Sequence, residues 1–335
     1  MLTHRNLVMN AAQVTGFAGE HISSTDTILT ALPLYHIFAF TVNFLAFYTR
    51  SGHSVLIPNP RPLTNLRKAF ETQGITFITG VNTLFNGLLN EPWFRDAPPA
   101  TLRIGVAGGM ALQAAVAERW VRVTGRPIIE GYGLTEASPV LTFNPFSAGR
   151  IGAIGVPIPL TDLKCVDDAF NEVPLGQPGE LAARGPQVMA GYWRRPDETA
   201  MVMRGEWLLT GDIATMDESG FFRIVDRRKD MILVSGFNVF PNEIEDVLAK
   251  LVGVKEVAVV GVPDGAAGEA PKAFVVRSDP ALTAEAVRAY CKQHLTGYKV
   301  PKFVEFRNEL PKSNVGKILR KDLRADPSSQ VAAMP

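Results

Sequence analysis

Short apolar segments that run into glycine turns, separated by segments of helical spacing, constrain the fold of this chain most strongly. This alternation is typical of βαβ units, in which helices connect parallel strands. The predicted strands cover residues 53–58, 75–80, 102–109 and 127–133, and the predicted helices cover residues 63–73, 83–90 and 112–124. We therefore expect an α/β fold with a mostly parallel sheet and flanking helices.

The pattern changes after residue 150, where Gly and Pro break short β segments and an apparent hairpin carries DESG, residues 217–220, at its tip. We interpret this stretch as a β subdomain packed on the sheet. After the charged sequence DRRKD, residues 226–230, helices at 242–251 and 284–295 and strands at 256–262 and 272–276 predict a small α+β domain. The predicted organisation is a large domain over residues 1–227, a small mobile C-terminal domain over residues 228–326 and a polar tail over residues 327–335.

Composition excludes one class of function and favours one location. The chain has 34 basic and 33 acidic residues, so it lacks the basic excess of nucleic-acid-binding proteins. Cys165 and Cys291 are its only cysteines, and their spacing forms neither a metal site nor a disulfide framework. This low cysteine content indicates the reducing cytoplasm. Nothing in the sequence indicates an oligomeric state.

One apolar run, residues 28–48, approaches the ~20 residues that a membrane-spanning helix requires. Pro33, His36 and Asn43 interrupt the run. Because polar groups at the bilayer centre are unfavourable, we favour a buried helix of the α/β domain over a membrane span. No signal peptide is visible, and no basic amphipathic anchor is evident.

Two glycine-containing motifs follow predicted strands at the edge of the sheet where ligands bind in parallel α/β folds. They are GGM, residues 108–110, and EGYGLTE, residues 130–136. Tyr132 lies between two glycines, so its ring can lie against a purine. Thr135 offers a hydroxyl to phosphate oxygens, and Glu136 offers the hard carboxylate that Mg²⁺ prefers. The alternative is a purely structural turn in which Thr135 is a helix N-cap and Glu136 favours the helix dipole.

Two further stretches occur in register with these motifs. They are WLLTGDIATMDESGFFRIVDRRKDMILVSGFNVFPNEIE, residues 207–245, and the pair Gly316–Lys317. Together the motifs resemble the long-chain fatty acid:CoA ligases of the adenylate-forming, AMP-binding superfamily, from Met1 to about Asp326. The resemblance implies a two-step reaction in which a fatty acid and ATP give an acyl adenylate and pyrophosphate, and CoA then takes the acyl group and releases AMP. Mg²⁺ is the implied cofactor, and ATP and CoA are the co-substrates.

The resemblance also implies which residues surround the nucleotide. Contacts to ATP or AMP are implied for Gly108, Gly109, Gly131, Tyr132, Gly133, Leu134, Thr135, Asp212, Arg227 and Lys317. Asp212 matches an aspartate that accepts hydrogen bonds from both ribose hydroxyls, and Arg227 would contact the same ribose and the phosphate. Catalytic roles are implied for Thr135, Glu136 and Lys317, with Glu136 as the Mg²⁺ ligand. Taken alone, TGD predicts only an Asx-type turn, and Arg227 predicts a surface ion pair with an acid such as Asp230.

Lys317 lies in PKSNVGKILRKDL, residues 311–323, where Asn314 and Gly316 predict a mobile turn ahead of a short basic helix. Adenylation brings a carboxylate against an anionic α-phosphate, and a lysine ammonium lowers that repulsion and stabilises charge as pyrophosphate leaves. The alternative is a solvated lysine in a charge run with Lys312, Arg320 and Lys321. By resemblance, the catalytic lysine matches Lys317.

For the second step, the resemblance implies that the small domain swings about a hinge at Lys229. Contacts to CoA are implied for Ser235, Gly236 and Phe237. Taken alone, this segment predicts a glycine turn before the next helix, which is compatible with that role. The acyl pocket is implied at His36, Gly80 and Val81, in segments that are equally typical of core helices.

The chain departs from the family pattern at Val234, where some relatives carry a lysine or another polar residue, and at Leu209, where close relatives often carry a histidine. In the family, the segment matching Met1–Leu7 directly follows a Gly/Ser/Thr-rich loop, ending in a lysine, that wraps the ATP phosphates. We therefore expect this chain to be a C-terminal portion of a ligase that adenylates poorly alone.

Other functions stay open from the sequence. One is a ligase for aryl or medium-chain acids, or for an acyl-carrier acceptor. Another is a non-catalytic fragment that binds a nucleotide or CoA. The expected location is cytoplasmic, with possible peripheral association at the inner face of the membrane because fatty acids partition into bilayers.

Overall fold

The structure is a computed structural model that describes residues 1–326 and consists of two compact units. The first unit comprises Met1–Thr210 and Ala214–Ile224, and the second comprises Gly211–Ile213 and the chain from Val225 onward. The sequence places this boundary three residues later, after residue 227. The predicted polar tail over residues 327–335 lies outside the described residues.

The first unit contains a seven-stranded sheet in the order β2-β1-β3-β4-β5-β6-β7. Its strands are β1 (Thr27–Thr30), β2 (His53–Leu56), β3 (Phe77–Gly80), β4 (Ile104–Ala107), β5 (Ile128–Gly133), β6 (Val140–Phe143) and β7 (Val156–Pro157). The pairings among β2, β1, β3, β4 and β5 are parallel, whereas β6 and β7 are added antiparallel. This arrangement confirms the prediction of a mostly parallel sheet.

Helices cover both faces of the sheet. They are α1 (His4–Ala18), α2 (Phe47–Thr49), α3 (Arg67–Thr72), α4 (Asn82–Asn90), α5 (Pro92–Arg95) and α6 (Ala114–Thr124). Leu29, Ile78 and Ala107 belong to the same buried cluster as apolar residues of α3, α4 and α6. Trp120 of α6 is fully buried in this cluster, and Gly125 ends α6 in the left-handed conformation that glycine adopts readily.

The apolar run over residues 28–48 is not one helix, so the prediction of a buried helix is wrong for its first half and right for residues 39–48. β1 occupies its start, and a π-helix at Ala39–Ala46 continues into α2. The first residues become a strand because β1 pairs with both β2 and β3 and all four of its residues are buried. Among residues 1–326, no helix is both long and apolar enough to span a bilayer.

A second sheet follows, as expected for the β subdomain. It consists of β8 (Asp162–Val166), β9 (Gly179–Arg184), β10 (Met203–Arg204), β11 (Trp207–Met216) and β12 (Phe222–Arg227), and α7 (Pro196–Val202) precedes β10. The strand order is β10-β11-β9-β8, with β12 paired to β11. The hairpin between β11 and β12 turns at the predicted residues, where the Gly220 N–H donates to the Asp217 carbonyl at 2.9 Å.

The second unit is the predicted small α+β domain. Its elements are β13 (Ile232–Val234), β14 (Phe237–Val239), α8 (Pro241–Leu248), β15 (Val254–Asp264), β16 (Gly268–Arg277), α9 (Ala284–His294), β17 (Phe303–Arg307) and α10 (Arg320–Ala325). The sheet has the order β14-β13-β16-β15, with β17 parallel to β16. Val257 and Val259 pack with α8 and α9, whereas Ala258 and Val260 pack with Leu323 of α10. The alternation along β15 therefore builds one core on each face.

Candidate functional site

Three neighbouring parallel strands of the first unit end at one edge, and predicted site residues follow each of them. Gly80 pairs with Ala107, Ala107 pairs with Glu130, and the Gly108 N–H donates to the Gly80 carbonyl at 3.2 Å. A Cβ added to Gly108 would lie 3.3 Å from both the Gly131 carbonyl oxygen and the Phe38 ring. The structure thus brings Gly80, Gly108 and Gly131 together, with no side chain between their backbones.

The turn after β5 is held closely against the start of β6. The Leu134 N–H donates to the Pro139 carbonyl at 3.1 Å, and a Cβ on Gly133 would overlap that carbonyl. A single 3₁₀ turn covers Thr135–Ala137, with Leu134 as its N-cap residue and no side-chain cap. The alternative interpretation of Thr135 as an N-cap is therefore wrong, and the Thr135 side chain is exposed.

Glu136 has a partner that sequence reasoning missed. The Tyr192 hydroxyl donates to Glu136 Oε1 at 2.9 Å, and the Met189 N–H donates to the Glu136 carbonyl at 2.7 Å. Burial and the Glu136 carboxylate raise the pKa of Tyr192 to about 12. Because 56 residues separate the two, no local spacing could have revealed the pair.

A row of buried amides beneath this turn was also missed. Asn6 of α1 donates to the carbonyls of Pro186 and Val188 at 2.7 and 2.9 Å. Asn10 donates to the Val140 carbonyl at 2.8 Å and accepts from the Val140 N–H at 3.0 Å. Buried amides are favourable only when they are paired, so these bonds fix the segments on either side of Glu136. Polar residues at the spacing i, i+4 on α1 were the available signal.

The Glu136 carboxylate fits a magnesium ion that is held mainly by nucleotide phosphates. Within residues 1–326, no group of three or more His, Cys, Asp or Glu residues could hold a metal alone. Magnesium in nucleotide sites typically takes one or two carboxylates, with phosphate oxygens and water as its other ligands. A half-buried carboxylate oriented by a tyrosine hydroxyl matches that donor set.

The predicted acyl residues lie near the same strand edge. Val81 follows Gly80, and His36 lies two residues before Phe38, whose ring approaches Gly108. Behind them, Asn43 of the π-helix and Thr79 of β3 exchange buried hydrogen bonds at 2.7 and 2.9 Å.

The first unit also contains an apolar cavity that none of His36, Gly80 and Val81 lines. This cavity lies between α1, the π-helix and the sheet, and its lining residues include Val14, Phe17, Ile28, Val42, Phe77 and Val106.

In the second unit, the structure brings the two predicted ribose residues together. Arg227 Nε lies 3.6 Å from Asp212 Oδ1, and the Asp212 side chain is only 14% exposed. Gly211, with φ of 74°, lies directly before this aspartate. The ion pair of Arg227 is therefore with Asp212, whereas Asp230 pairs with Arg320 and Arg324.

Lys317 is half-buried in the predicted loop, beside the same pair. The Gly316 N–H donates to the Ser313 carbonyl at 2.8 Å, and Gly316 has φ of 82°. Burial, followed by the positive charge of Arg227, lowers the pKa of Lys317 to about 8, while Asp212 opposes the shift. The side chain is thus a desolvated amine among charged groups, which is typical of functional lysines.

The charge run around Lys317 is not simply solvated. Lys312 Nζ lies 2.7 Å from Glu256, and Arg320 bonds with several acids. Lys321, by contrast, is exposed. The alternative interpretation as a solvated face holds only for part of the run.

Ser235 and Gly236 form a two-residue turn between β13 and β14. Their φ values of 49° and 84° are those of a type I′ hairpin turn, and Val234 pairs with Phe237 across it. The exposed ring of Phe237 stacks on Tyr298 with 4.8 Å between centroids. Lys229 is exposed in the 3₁₀ turn between β12 and β13.

The comparisons with known proteins identify the family of the chain. Residues 1–193 match the AMP-binding enzyme family, and residues 243–317 match the AMP-binding enzyme C-terminal domain. The chain therefore belongs to the AMP-binding enzyme family, and its similarity to long-chain fatty acid:CoA ligases is confirmed.

One relative is the long-chain-fatty-acid–CoA ligase of Escherichia coli O6:H1, which is 56% identical over 99% of this chain. The chain spans 59% of the length of that relative. Among solved structures, ATP-bound MatB from Rhodopseudomonas palustris is 30% identical with a TM-score of 0.92, covering 99% of this chain and 65% of that one. The anthranilate CoA ligase AuaEII in complex with anthranoyl-AMP is 29% identical with a TM-score of 0.92, over the same shares.

Proposed function

We propose that the protein is a long-chain fatty acid:CoA ligase that activates its substrate in two steps. A fatty acid carboxylate attacks the α-phosphorus of ATP and releases pyrophosphate, and the CoA thiol then attacks the acyl carbon of the adenylate and releases AMP. The observation that carries this proposal is 56% identity to a ligase of that name over 333 residues, which include both groups of candidate site residues.

In the first unit, the strand edge would hold the nucleotide. The glycines at positions 108, 131 and 133 let the backbone segments of this edge pack closely, and the Cβ position of Gly109 meets only Val81, at 3.8 Å. The purine would lie against Tyr132, and the phosphates would approach Leu134 and Thr135. Glu136, oriented by Tyr192, would hold Mg²⁺, which neutralises phosphate charge when bound.

In the second unit, Asp212 would accept hydrogen bonds from the ribose hydroxyls, and its partner Arg227 would contact the same ribose and the phosphate. Lys317 would act on the adenylation step. With a pKa of about 8, its amine is mostly protonated at neutral pH, so it lowers the repulsion between carboxylate and phosphate and stabilises the departing charge.

For thiol attack, we assign CoA contacts to the hairpin turn of Ser235 and Gly236 and to the exposed Phe237 ring, because the turn presents backbone without side-chain bulk. Lys229, exposed in its turn, is assigned as the hinge. The acyl carboxylate end is assigned to the segment with His36, Gly80 and Val81.

The test is fatty-acid-dependent exchange of pyrophosphate into ATP. The assay would use this chain and a chimera in which the part of the E. coli ligase outside the matched region is joined to this chain. We expect the exchange rate to fall by at least ~100-fold in Lys317→Ala. The rate should stay unchanged in Lys321→Ala, which removes an exposed lysine of the same run. Exchange that survives Lys317→Ala would refute the assignment, and no exchange with any acid would refute the ligase function.

A ligase for aryl acids is the second candidate, because an anthranilate ligase shares the fold at 29% identity. Competition between palmitate and anthranilate in the exchange assay distinguishes the two.

We also propose a cytoplasmic enzyme with peripheral contact to the inner membrane face, since long-chain acids partition into bilayers. Co-flotation with anionic vesicles tests that contact.

A further inference from the structure

Arg320, the first residue of α10, lies at the centre of a buried cluster of charged and polar groups in the second unit. Its guanidinium donates to Asn242 Oδ1 at 2.6 Å, to Glu245 Oε2 at 2.7 Å and to Asp226 Oδ1 at 3.3 Å. Asp230 Oδ2 lies 3.4 Å away. One side chain therefore joins α10 to α8 and to the chain segment that precedes β13.

The partners of Arg320 are themselves fixed. Asp226 Oδ2 accepts the Asn242 N–H at 2.9 Å, where α8 begins without a side-chain cap of its own, and Glu245 Oε1 accepts the Val259 N–H at 2.7 Å. The Asp226 side chain is 0% exposed and that of Arg320 is 16% exposed. These contacts form a closed hydrogen-bonded network in a largely dry environment.

The guanidinium is indispensable to the charge balance of this cluster. Burial raises the pKa of Glu245 to about 6 and raises that of Asp226, although Arg320 opposes both shifts. Burial alone would lower the pKa of Arg320, but the surrounding carboxylates raise it above its ordinary value. Asp226 and Glu245 pair with Arg320, whereas Asp230 pairs with both Arg320 and Arg324, so Arg320 is the cation that all three carboxylates share.

The same cluster holds one end of the loop that carries Lys317. Lys312 and Ile318 form an antiparallel bridge, and the Leu319 N–H donates to the Pro311 carbonyl at 2.9 Å. One end of the loop is held by Lys312 on Glu256 of β15, and the other by Arg320. Arg320 follows Lys317 by only three residues, so the contacts of its guanidinium hold the chain close to the residue that carries the amine.

We propose that Arg320 is the positioning residue of Lys317, because its forked guanidinium binds Asp226, Asn242 and Glu245 together and so fixes the loop from which the amine extends. This inference rests on the proposed catalytic role of Lys317. Arg320 does not itself need to touch the substrate.

The experiment measures Lys317 without requiring ligase activity. The full chain is labelled at amines with formaldehyde and cyanoborohydride from pH 6 to pH 11, and the Lys317 peptide is quantified by mass spectrometry. The charged groups that act on this amine are Arg227, Asp212, Lys229 and Arg320. Variants are Arg320→Met, Arg320→Lys and the matched control Arg324→Met, whose side chain pairs with Asp230 at 2.7 Å.

In the unmodified chain, we expect half-labelling near pH 8. In Arg320→Met, the midpoint should rise by ~1 pH unit, because the loop becomes more hydrated and a nearby positive charge is lost. Arg320→Lys should also raise it, since an ammonium lacks the planar fork that binds Asn242 and Glu245 together. Arg324→Met and the core variant Val287→Ala, which loosens the unit at α9, should leave the midpoint unchanged.

If the pH midpoint of Lys317 labelling is unchanged in either folded Arg320 variant, the proposal is overturned. An unchanged midpoint in Arg320→Lys would show that a positive charge alone is enough to position the loop. If Arg320→Met does not fold, the result for Arg320→Lys tests the proposal by itself. A shift in Val287→Ala equal to that in Arg320→Lys also overturns it, since general loosening then explains the effect. Pyrophosphate exchange is measured separately in the chimera, so a shifted midpoint without exchange in the chimera would refute the ligase function and leave the link between Arg320 and Lys317 intact.

Discussion

The turn that follows β5 in the first unit and the loop that carries Lys317 in the second are held by different interactions. Around Glu136, the fixing contacts are mostly uncharged: buried amides, backbone groups, a tyrosine hydroxyl and glycines that allow close approach. Around Lys317, the fixing contacts are ion pairs. Lys312 pairs with Glu256, and Arg320 pairs with Asp226, Asp230 and Glu245.

This difference predicts different sensitivities. The stability of the turn after β5 depends on side-chain volume, because a single added carbon at Gly133 would overlap backbone. The stability of the Lys317 loop depends on charge and pH, because removal of one ion-pair partner leaves the other partners buried and unpaired. We therefore expect added volume to disrupt the first region and changes of charge or pH to disrupt the second.

The largest effect is expected from Gly133→Ala. The new Cβ would overlap the Pro139 carbonyl, and backbone cannot move aside as a flexible side chain can. We expect a loss of ~4 kcal/mol in the free energy of unfolding of the first unit, measured by urea denaturation. Gly16→Ala is the control, since its Cβ meets nothing within 4 Å on helix α1 and should stabilise by ~0.5–1 kcal/mol. A Gly133→Ala variant as stable as the unmodified chain would contradict the role of volume.

Next is Arg320→Met, which leaves the carboxylates of Asp226, Asp230 and Glu245 without their shared cation. We expect it to destabilise the second unit by about 3 kcal/mol at pH 7. The loss should shrink toward pH 5, where more of the Glu245 carboxyl, with its pKa of about 6, is neutral. Arg67→Met, which breaks an exposed pair with Glu71, should have no measurable effect. A loss that does not vary with pH would show that packing, rather than charge, holds this region.

Lys317→Met should stabilise the second unit, although the same lysine is the residue proposed to act in adenylation. The folded pKa of about 8 lies below the ordinary 10.5, so the unfolded chain binds more protons between these values. The burial penalty is therefore full below pH 8 and is relieved as pH rises toward 10.5. We expect a gain of roughly 2 kcal/mol at pH 7 that diminishes across this window. Thermal melts at pH 7 and pH 10 check it, and an equal gain at both would contradict the shift.

The smallest effect is expected from Tyr192→Phe, which removes only the hydroxyl that orients Glu136. We expect ~1 kcal/mol of lost stability and a few-fold higher Mg²⁺ concentration for half-maximal ATP binding, measured by equilibrium dialysis. Tyr48→Phe, at a 74% exposed residue, is the control. An unchanged Mg²⁺ requirement would leave Tyr192 with a structural role only.

Much of the fold was predictable because its signals are local. Four of the first five strands followed from apolar segments, three of which end in glycine turns, and the small α+β domain followed from its own alternation. β1 was missed since its four apolar and threonine residues continue into another apolar run. Its strand character comes from pairing on both sides with β2 and β3, which no local window contains.

The candidate site divides in the same way. The glycines of the strand edge, the turn of Ser235 and Gly236 and the loop of Lys317 are recognisable from residue type and spacing, because backbone conformation depends on near neighbours. Tyr192 and Arg320 gave no such signal. Each acquires its role from a partner distant in sequence, 56 residues away for Glu136 and 94 for Asp226.

By itself, the sequence determined the strand edge with its glycine turns, the division into an α/β and an α+β unit, and the residue types present at each candidate position. Only the tertiary structure decided that Glu136 is oriented by a tyrosine, that Arg320 is buried among acids and that the pKa of Lys317 falls to about 8. The reason is physical: periodicity and backbone conformation arise between neighbouring residues, whereas desolvation and charge pairing arise between segments that meet only when the chain folds.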